Sequence, residues 1–423
     1  MPAKRLSLRI AVGLAVVIFF TFLANRPAAA QVETLLDTFK SARQNGQSPN
    51  DSLIFDKAGN LYGTTFVGGR YSEGTAFELT PNGTGGWNEK VLHSFGNVIG
   101  THSDGTNPVG PLTFDSAGNL YGTTSLGGGT NHYGIVFELL PKAGGGWTEN
   151  ILRNFNNNNP SNADGIYPQG NLVIDSAGNV YGTTPDGGIG SGVVYELIPA
   201  GGGRWTEKVL HSFDLTDGKY SLAGLVLDAQ GNLYGTTNVG GAFSGGVAFE
   251  LSPSSGGTWT YKLLYSFGAT PTDGLYPAAN LIFDSAGNLY GTDYAGGAHN
   301  LGTVFELSPI AGGGWSETTL YSFGGGTDGN YPESPVTFDS SGNLYGTTTS
   351  GGASNVGVVF KLTPSGGGTW TETLLHTFTG GSDGANAFGG LILDNSGNLY
   401  GTTYVGGGAG VFSGNGTVFE ITP

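Results

Sequence analysis

"DSAGNLYGTT" (residues 115–124) is written seven times along this chain with small changes, beginning at Asp56, Asp115, Asp175, Asp228, Asp284, Asp339 and Asp394. Successive copies lie 53 to 60 residues apart, a period that calls for a repeat architecture. The phrase itself reads as a hairpin. In the copy at Asp284 the aspartate closes one strand, and its carboxylate is placed to accept backbone N–H groups of the turn. Gly287 supplies the left-handed residue of a three- to four-residue turn with a bulge, and Asn288 starts the return strand.

Around the phrase each unit reads as four short strands, seen from Leu281 as "LIFD", "NLYGT", "GTVFELSP" and "WSETTLYSF". These runs are rich in β-branched and aromatic residues and bounded by Gly, Pro and Asn, which are strand signals. Beyond residue 30 no segment carries a helical period. Four-stranded units repeated radially make a β-propeller. The sequence ends on a third strand, "GTVFEITP" (416–423), while "VETLLDTF" (32–39) matches the fourth strands "WTEKVLHSF" (205–213) and "WTETLLHTF" (370–378). The expected fold is therefore all-β, a seven-bladed propeller closed by the N-terminal strand pairing with the C-terminal blade. An open solenoid would need atypical capping repeats.

Residues 1–30 read as a signal peptide rather than as part of the fold. Lys4, Arg5 and Arg9 precede the apolar run "IAVGLAVVIFFTFLA" (10–24), and "AAA" (28–30) suits cleavage before Gln31. The run is short for a membrane span of roughly 20 residues. Residues 31–423 then form one domain, exported to the periplasm or the cell exterior, with no membrane span of its own. The chain has no cysteine, which excludes disulfide staples and a lipidated N-terminal cysteine. Its formal net charge is −16, with four of the sixteen basic residues in the leader. That balance argues against nucleic acid and anionic membranes and suits cations, neutral sugars or basic protein partners.

"GNLYGTTSLGG" (118–128) and "GTVFELSP" (302–309) resemble the GloVer repeat, a tandem repeat of exported bacterial proteins named after Gloeobacter and Verrucomicrobium. The resemblance runs over essentially all of residues 32–423. It implies a propeller and no established activity. Members often carry a C-terminal surface anchor, which is not expected here because the sequence ends at Pro423. The first two strands resemble, more loosely, NHL and gluconolactonase-like propellers.

Residues that recur seven-fold read first as structure. The phrase aspartates are turn caps. Trp87, Trp147, Trp205, Trp259, Trp315 and Trp370 each open a fourth strand and are expected to pack between blades, with Gln31 in the N-terminal copy. Glu33, Glu89, Glu149, Glu207, Glu317 and Glu372 follow at the next same-face position and are expected to protect an exposed outer edge. The third-strand glutamates (Glu78, Glu138, Glu196, Glu250, Glu306, Glu420) need partners, threonine hydroxyls or backbone N–H groups, with Lys361 substituting once. His93, His211 and His376 share a fourth-strand position that reads as surface, while His102, His132 and His299 stand singly in loops. None has zinc-site spacing, and no nucleophile elbow or HExxH pattern occurs.

The link between blades repeats Asp-Gly, often with aromatic or Asn and Pro following, as in "DGIYP" (164–168) and "DGLYP" (273–277). Asp104, Asp164, Asp217, Asp273, Asp328 and Asp383, with Tyr167, Tyr220, Tyr276 and Tyr331, are expected to ring one face near the pore. The six carboxylates are the candidate metal ligands, with calcium the cation they would suit; no other cofactor is expected. The second-to-third loops, which vary most, open on the same face, and variation on a rigid frame is where binding resides. Asp293, which breaks the Thr-Thr pattern, and Asp186 join Asp164, Tyr167, Asp273, Tyr276, Asp328 and Tyr331 as the expected ligand-binding set. The favoured reading is an exported, non-catalytic binding or scaffold module for a glycan, an extracellular protein or a cation. Its rivals are a pore-centred cation-dependent enzyme of lactonase, lyase or glycosidase class, and a structural cell-surface or matrix protein.

Overall fold

In the computed structural model, residues 31–40, 45–99, 102–155 and 164–422 are described, so the expected signal peptide lies outside them. They form seven antiparallel four-stranded sheets around a central channel. Blade 1 comprises Ile54–Phe55, Leu61–Thr65, Thr75–Pro81 and Trp87–Ser94, and blades 2 to 6 repeat that order. Blade 7 takes Ile392–Leu393, Leu399–Thr403 and Thr417–Thr422 from the C-terminal end and Val32–Thr38 from the N-terminal end. Val32 pairs with Thr422 and Thr38 with Thr417, with a bulge between Leu35 and Asp37. The same bulge falls in the corresponding ladder of the other blades, between Ala76 and Phe77 in blade 1. No helix among the described residues is long and apolar enough to cross a membrane.

The repeated phrase is explained by three features of the fold. Asp115 Oδ1 accepts the N–H groups of Ala117 and Asn119 at 2.8 and 2.9 Å, and Gly118 takes φ 86°. The glycine of "LYGTT" makes room for the aromatic ring of the third strand: a Cβ on Gly122 would lie 2.5 Å from Phe137 Cζ. The tyrosine hydroxyl lies between two carboxylates, with Tyr121 Oη 2.7 Å from Glu138 Oε1 and 3.3 Å from Asp115 Oδ2. In blades 1 to 3 the partner of the third-strand glutamate is thus this tyrosine, and Glu250 and Glu306 instead accept the hydroxyls of Ser252 and Ser308 at 2.8 and 2.6 Å, rather than the expected threonine or backbone N–H. In-register pairing sets Tyr121 directly opposite Glu138.

Each blade is keyed into the next by aromatic rings. The phenylalanine that ends one fourth strand packs on the third-strand ring of the following blade, as in Phe95–Phe137 (4.9 Å), Phe267–Phe305 (5.0 Å) and, across the closure, Phe39–Phe77 (5.2 Å). Tryptophans also pack between blades: Trp259 meets Tyr181 at 5.8 Å and Trp87 meets Tyr400 at 6.4 Å. The buried rings and the Leu and Val beside them form one apolar cluster per interface, seven in all among the described residues.

Candidate functional site

The Asp-Gly aspartates do not ring the pore. Each carboxylate turns toward the fourth strand of the preceding blade, because the chain leaving that strand has backbone N–H groups to satisfy. Asp104 Oδ1 accepts Gly96 and Asn97 N–H, both at 2.8 Å, and Asp273 accepts those of Gly268 and Ala269 at 2.9 and 2.8 Å. Asp217, Asp328 and Asp383 accept N–H groups of Asp214, Gly324 and Thr379 in the same way. Asp164 is bound by the Arg153 guanidinium at 2.5 Å.

The fourth-strand glutamates are not edge guards either. Glu149, Glu207, Glu317, Glu372 and Glu33 each stand half-buried against the aspartate and fourth strand of the preceding blade. Burial, with Asp104 beside it, pushes the Glu149 carboxyl up to about 9. Burial also raises Glu317 to about 7 and Glu372 to about 8, with Asp273 and Asp328 respectively adding to the effect. The shared histidine position lies in the same clefts, so His93, His211 and His376 are partly buried rather than surface groups.

Tyr167, Tyr220, Tyr276 and Tyr331 hold left-handed backbone, φ 56 to 64°. Each donates its N–H to a loop carbonyl of the preceding blade, as Tyr331 does to Leu301 at 2.8 Å. Neighbouring rings add contact: Tyr331 stacks on Tyr294 at 4.8 Å, and Tyr133 meets Tyr167 edge-on at 5.5 Å. Asp186 stands half-buried with Tyr167, Tyr220, Gln169 and Leu222 around a shallow hollow of about 400 Å³. Asp293 is elsewhere: fully buried in blade 5, its carboxyl against Thr303. It therefore cannot meet a ligand at the loop face. Of the expected ligand-binding set, Asp186 and Tyr167 come together, while Asp164, Asp273 and Asp328 serve their own turns.

The residues overlooked in the sequence line the mouth of the channel. The position after the link proline, or its equivalent, carries Asn50, Val109, Gln169, Leu222, Ala278, Glu333 and Phe388 in the seven blades, and all seven face one polar space of about 120 Å³. No two are alike. Asp51 joins them at the next position, its Oδ2 accepting Gly110 N–H at 2.6 Å, and burial pushes its carboxyl up to about 6 against that bond. Burial also raises the Glu333 carboxyl. The sequence held a signal for this site: a column without consensus beside columns that hardly vary. Deeper in, the channel widens to about 440 Å³ between the first strands, lined by residues such as Leu53, Val173, Ile282 and Ile392.

These features define a closed seven-bladed β-propeller with one asymmetric mouth. The chain belongs to the Gloeobacter/Verrucomicrobia repeat family, whose profile matches residues 21–163, 101–284 and 258–423. No curated protein matches it in sequence. Among solved structures it is similar to an ancestral GH74 enzyme, with TM-score 0.55, 9% identity and 92% of this chain covering 51% of that one. It is also similar to the extracellular domain assigned to a hybrid two-component system of B. thetaiotaomicron, with TM-score 0.53, 10% identity and 91% of this chain covering 39% of that one. A protein from Lactobacillus plantarum gives TM-score 0.50 at 16% identity, over 82% of this chain and 95% of that one. The chain thus spans about half or less of the first two proteins, and at these identities the likeness is one of fold.

Proposed function

We propose that this chain is an exported, non-catalytic propeller that binds a neutral or weakly basic glycan across the mouth of its channel. One observation carries the reading: the strand and turn positions that build each blade recur around the ring, whereas the seven side chains at the mouth all differ. Structural demands are the same in every blade, so residues that serve structure recur, whereas a ligand without seven-fold symmetry needs seven different contacts. Gln169, Asn50 and Glu333 supply polar groups, and Tyr167, Tyr220, Leu222 and Phe388 supply apolar faces. A concave site with a few convergent polar groups is the usual form of a small-ligand pocket. The net charge of −16 disfavours polyanions. The leader read in residues 1–30 supports export.

The test is a thermal-shift screen of neutral and amino-sugar oligosaccharides, followed by titration of Gln169→Ala and Tyr220→Ala. Saturation at 100 times Kd adds about 2.7 kcal/mol of stability. Both variants are expected to lose affinity at least roughly tenfold, about 1.4 kcal/mol, with the unliganded Tm unchanged. A glycan that binds equally well to both variants would place the site elsewhere.

The second reading, a pore-centred hydrolase, is supported by Asp51 and Glu333, two non-equivalent carboxyls in the same space, both with raised proton affinity. Turnover of a lactone or glycoside that disappears in Asp51→Asn and Glu333→Gln would favour it over the binding module.

A further inference from the structure

Each blade interface holds the same three positions: the fourth-strand residue of one blade, the Asp-Gly aspartate of the link that follows, and the fourth-strand glutamate of the next blade. Two carboxylates in a half-buried cleft repel each other, so each interface must offset that repulsion. Between blades 2 and 3 a built-in cation does so: the Arg153 guanidinium lies 2.5 Å from both Asp164 Oδ2 and Glu207 Oε2. Between blades 3 and 4 the glutamate is replaced by Tyr261, stacked on His211 at 4.4 Å. At the next two interfaces Tyr265 and Tyr321 donate to Asp273 and Asp328 at 2.9 and 3.1 Å. Between blades 7 and 1 Asn45 replaces the link aspartate, and the second carboxylate beside Glu89 is Asp37 from the fourth strand, with Lys40 and the Gly46 N–H offsetting the repulsion.

Two interfaces remain, and both combine an imidazole with two carboxylates. His93 Nε2 lies 3.1 Å from Asp104 Oδ2 and 3.8 Å from Glu149 Oε2. His376 Nε2 lies 3.4 Å from Asp383 Oδ2 and 3.8 Å from Glu33 Oε2. Within each trio the three ligand atoms are all within 4.8 Å of one another. Ligand atoms at about 2.0–2.1 Å from a tetrahedral zinc ion stand about 3.3 Å apart, so small rotamer adjustments bring either trio onto one ion. Buried atoms in these clefts also lack hydrogen-bond partners, namely Glu149 Oε1, Glu33 Oε1 and His376 Nε2.

We propose that the interfaces between blades 1 and 2 and between blades 6 and 7 each bind one divalent transition-metal ion, zinc in the first instance, through His93, Asp104 and Glu149 and through His376, Asp383 and Glu33. At both interfaces the ion takes the place that the Arg153 guanidinium fills between blades 2 and 3, neutralising both carboxylates and tying adjacent blades together. An imidazole in the set favours zinc, cobalt or nickel over calcium, which takes oxygen ligands. Three protein ligands leave a fourth position for water.

The test is calorimetric titration of the chelator-treated full chain with zinc, with cobalt absorption as a second readout of tetrahedral ligation. Two ions per chain are expected. Glu149→Gln and Glu33→Gln keep the shape of each cleft, and each is expected to weaken one site at least roughly tenfold, the least that loss of even an outer partner costs. His93→Ala and His376→Ala should each abolish one site, while His132→Ala and His299→Ala leave both. Arg153→His should add a third, because Asp164 and Glu207 are already in place. Circular dichroism establishes that each variant is folded. Zinc affinity unchanged in the glutamine variants with stoichiometry unchanged in Arg153→His, or no binding by the folded wild-type chain, would overturn the proposal.

Discussion

Asp293 Oδ2 lies 2.6 Å from the hydroxyl of Thr303, at a position where the other six blades carry threonine. In blade 1 the equivalent Thr65 hydroxyl donates to Val67 O at 3.0 Å and meets Thr75 Oγ1 at 2.8 Å. Asp293 keeps the second contact, but its Oδ1 is buried without a partner. Burial, partly offset by the Thr303 hydroxyl and reinforced by Glu317 and Asp273, raises its carboxyl well above the ordinary range. A raised acid contributes stability that is present below its unfolded pKa and is lost as pH rises through the folded value. Asp293→Thr is therefore expected to stabilise the neutral-pH protein by about 1–3 kcal/mol, the cost of an unsatisfied buried acceptor. Denaturant melts at neutral and acidic pH check this. The gain should shrink toward acid, and a variant less stable at pH 7 would refute the account.

The interface glutamates make the same argument collectively. Glu317 and Glu372 are pushed up to about 7 and about 8. Their protonated forms support the fold below the ordinary glutamate range, and that support fades as pH rises through 7 and 8. The Tm should therefore fall between about pH 5 and pH 9. Glu317→Gln and Glu372→Gln fix the neutral form and should flatten the decline, most visibly in the double variant. Parallel Tm–pH curves for wild type and double variant would show that these groups ionise without consequence.

How much of this was legible in the sequence depends on distance along the chain. The hairpin and the four-strand unit follow from local pattern, because turn chemistry and alternation act within ten residues, and the ring closure follows from matching residues 32–39 to the fourth strands of the other units. The tryptophan contacts between blades were legible as well, because a once-per-blade ring has few other uses. The clefts were not. His93 and Glu149 sit one repeat apart and meet only because the fourth strands of successive blades converge on the link between them. Glu149, read alone on an outer strand, looks like a solvated charge. Asp293 misled in the opposite direction: a break in the pattern suggested a ligand contact, but the position points into the core. The mouth residues were visible only by comparing blades with one another.

The phrase aspartates should act on stability alone. Burial is the largest single influence on Asp284 and opposes its ionisation, but hydrogen bonds from Asn288, Ala286 and Tyr290 together overcome it and hold the carboxyl below its usual range. A depressed acid gives stability that is present above the unfolded pKa and is lost as pH falls through the folded value. Asp284→Ala removes an acceptor of N–H groups at 2.8 and 2.9 Å. It should cost roughly 1–3 kcal/mol and leave glycan and zinc binding unchanged. Asp284→Asn should recover part of the loss, since its carbonyl oxygen still caps the turn. Chemical denaturation of the pair provides the measurement, and an alanine variant as stable as wild type would mean that the turn holds without its cap.

The closing strand should be the point at which the ring is most easily opened. Val32–Thr38 is the outer strand of blade 7, and its Leu36 and the following Phe39 are buried in the cluster shared with blade 1. Phe39 also donates its N–H to Gly416 O at 3.1 Å, and its carbonyl accepts from Asn415. Burying one such side chain is worth about 1.5–3 kcal/mol, and the ladder to Thr417–Thr422 is lost with it. A chain truncated through residue 39 should therefore melt well below one truncated through residue 30. It should also self-associate, because the exposed edge of Thr417–Thr422 is open to pairing with another chain. A synthetic peptide of residues 31–40 added in trans should restore both Tm and the monomer, because it supplies the ladder and both apolar anchors. A peptide with Leu36 and Phe39 changed to alanine should not. If the two truncations melt together, the ring is held closed by the channel-side contacts of blades 7 and 1, where Gly390 N–H donates to Ser52 at 2.8 Å, and not by the outer strand.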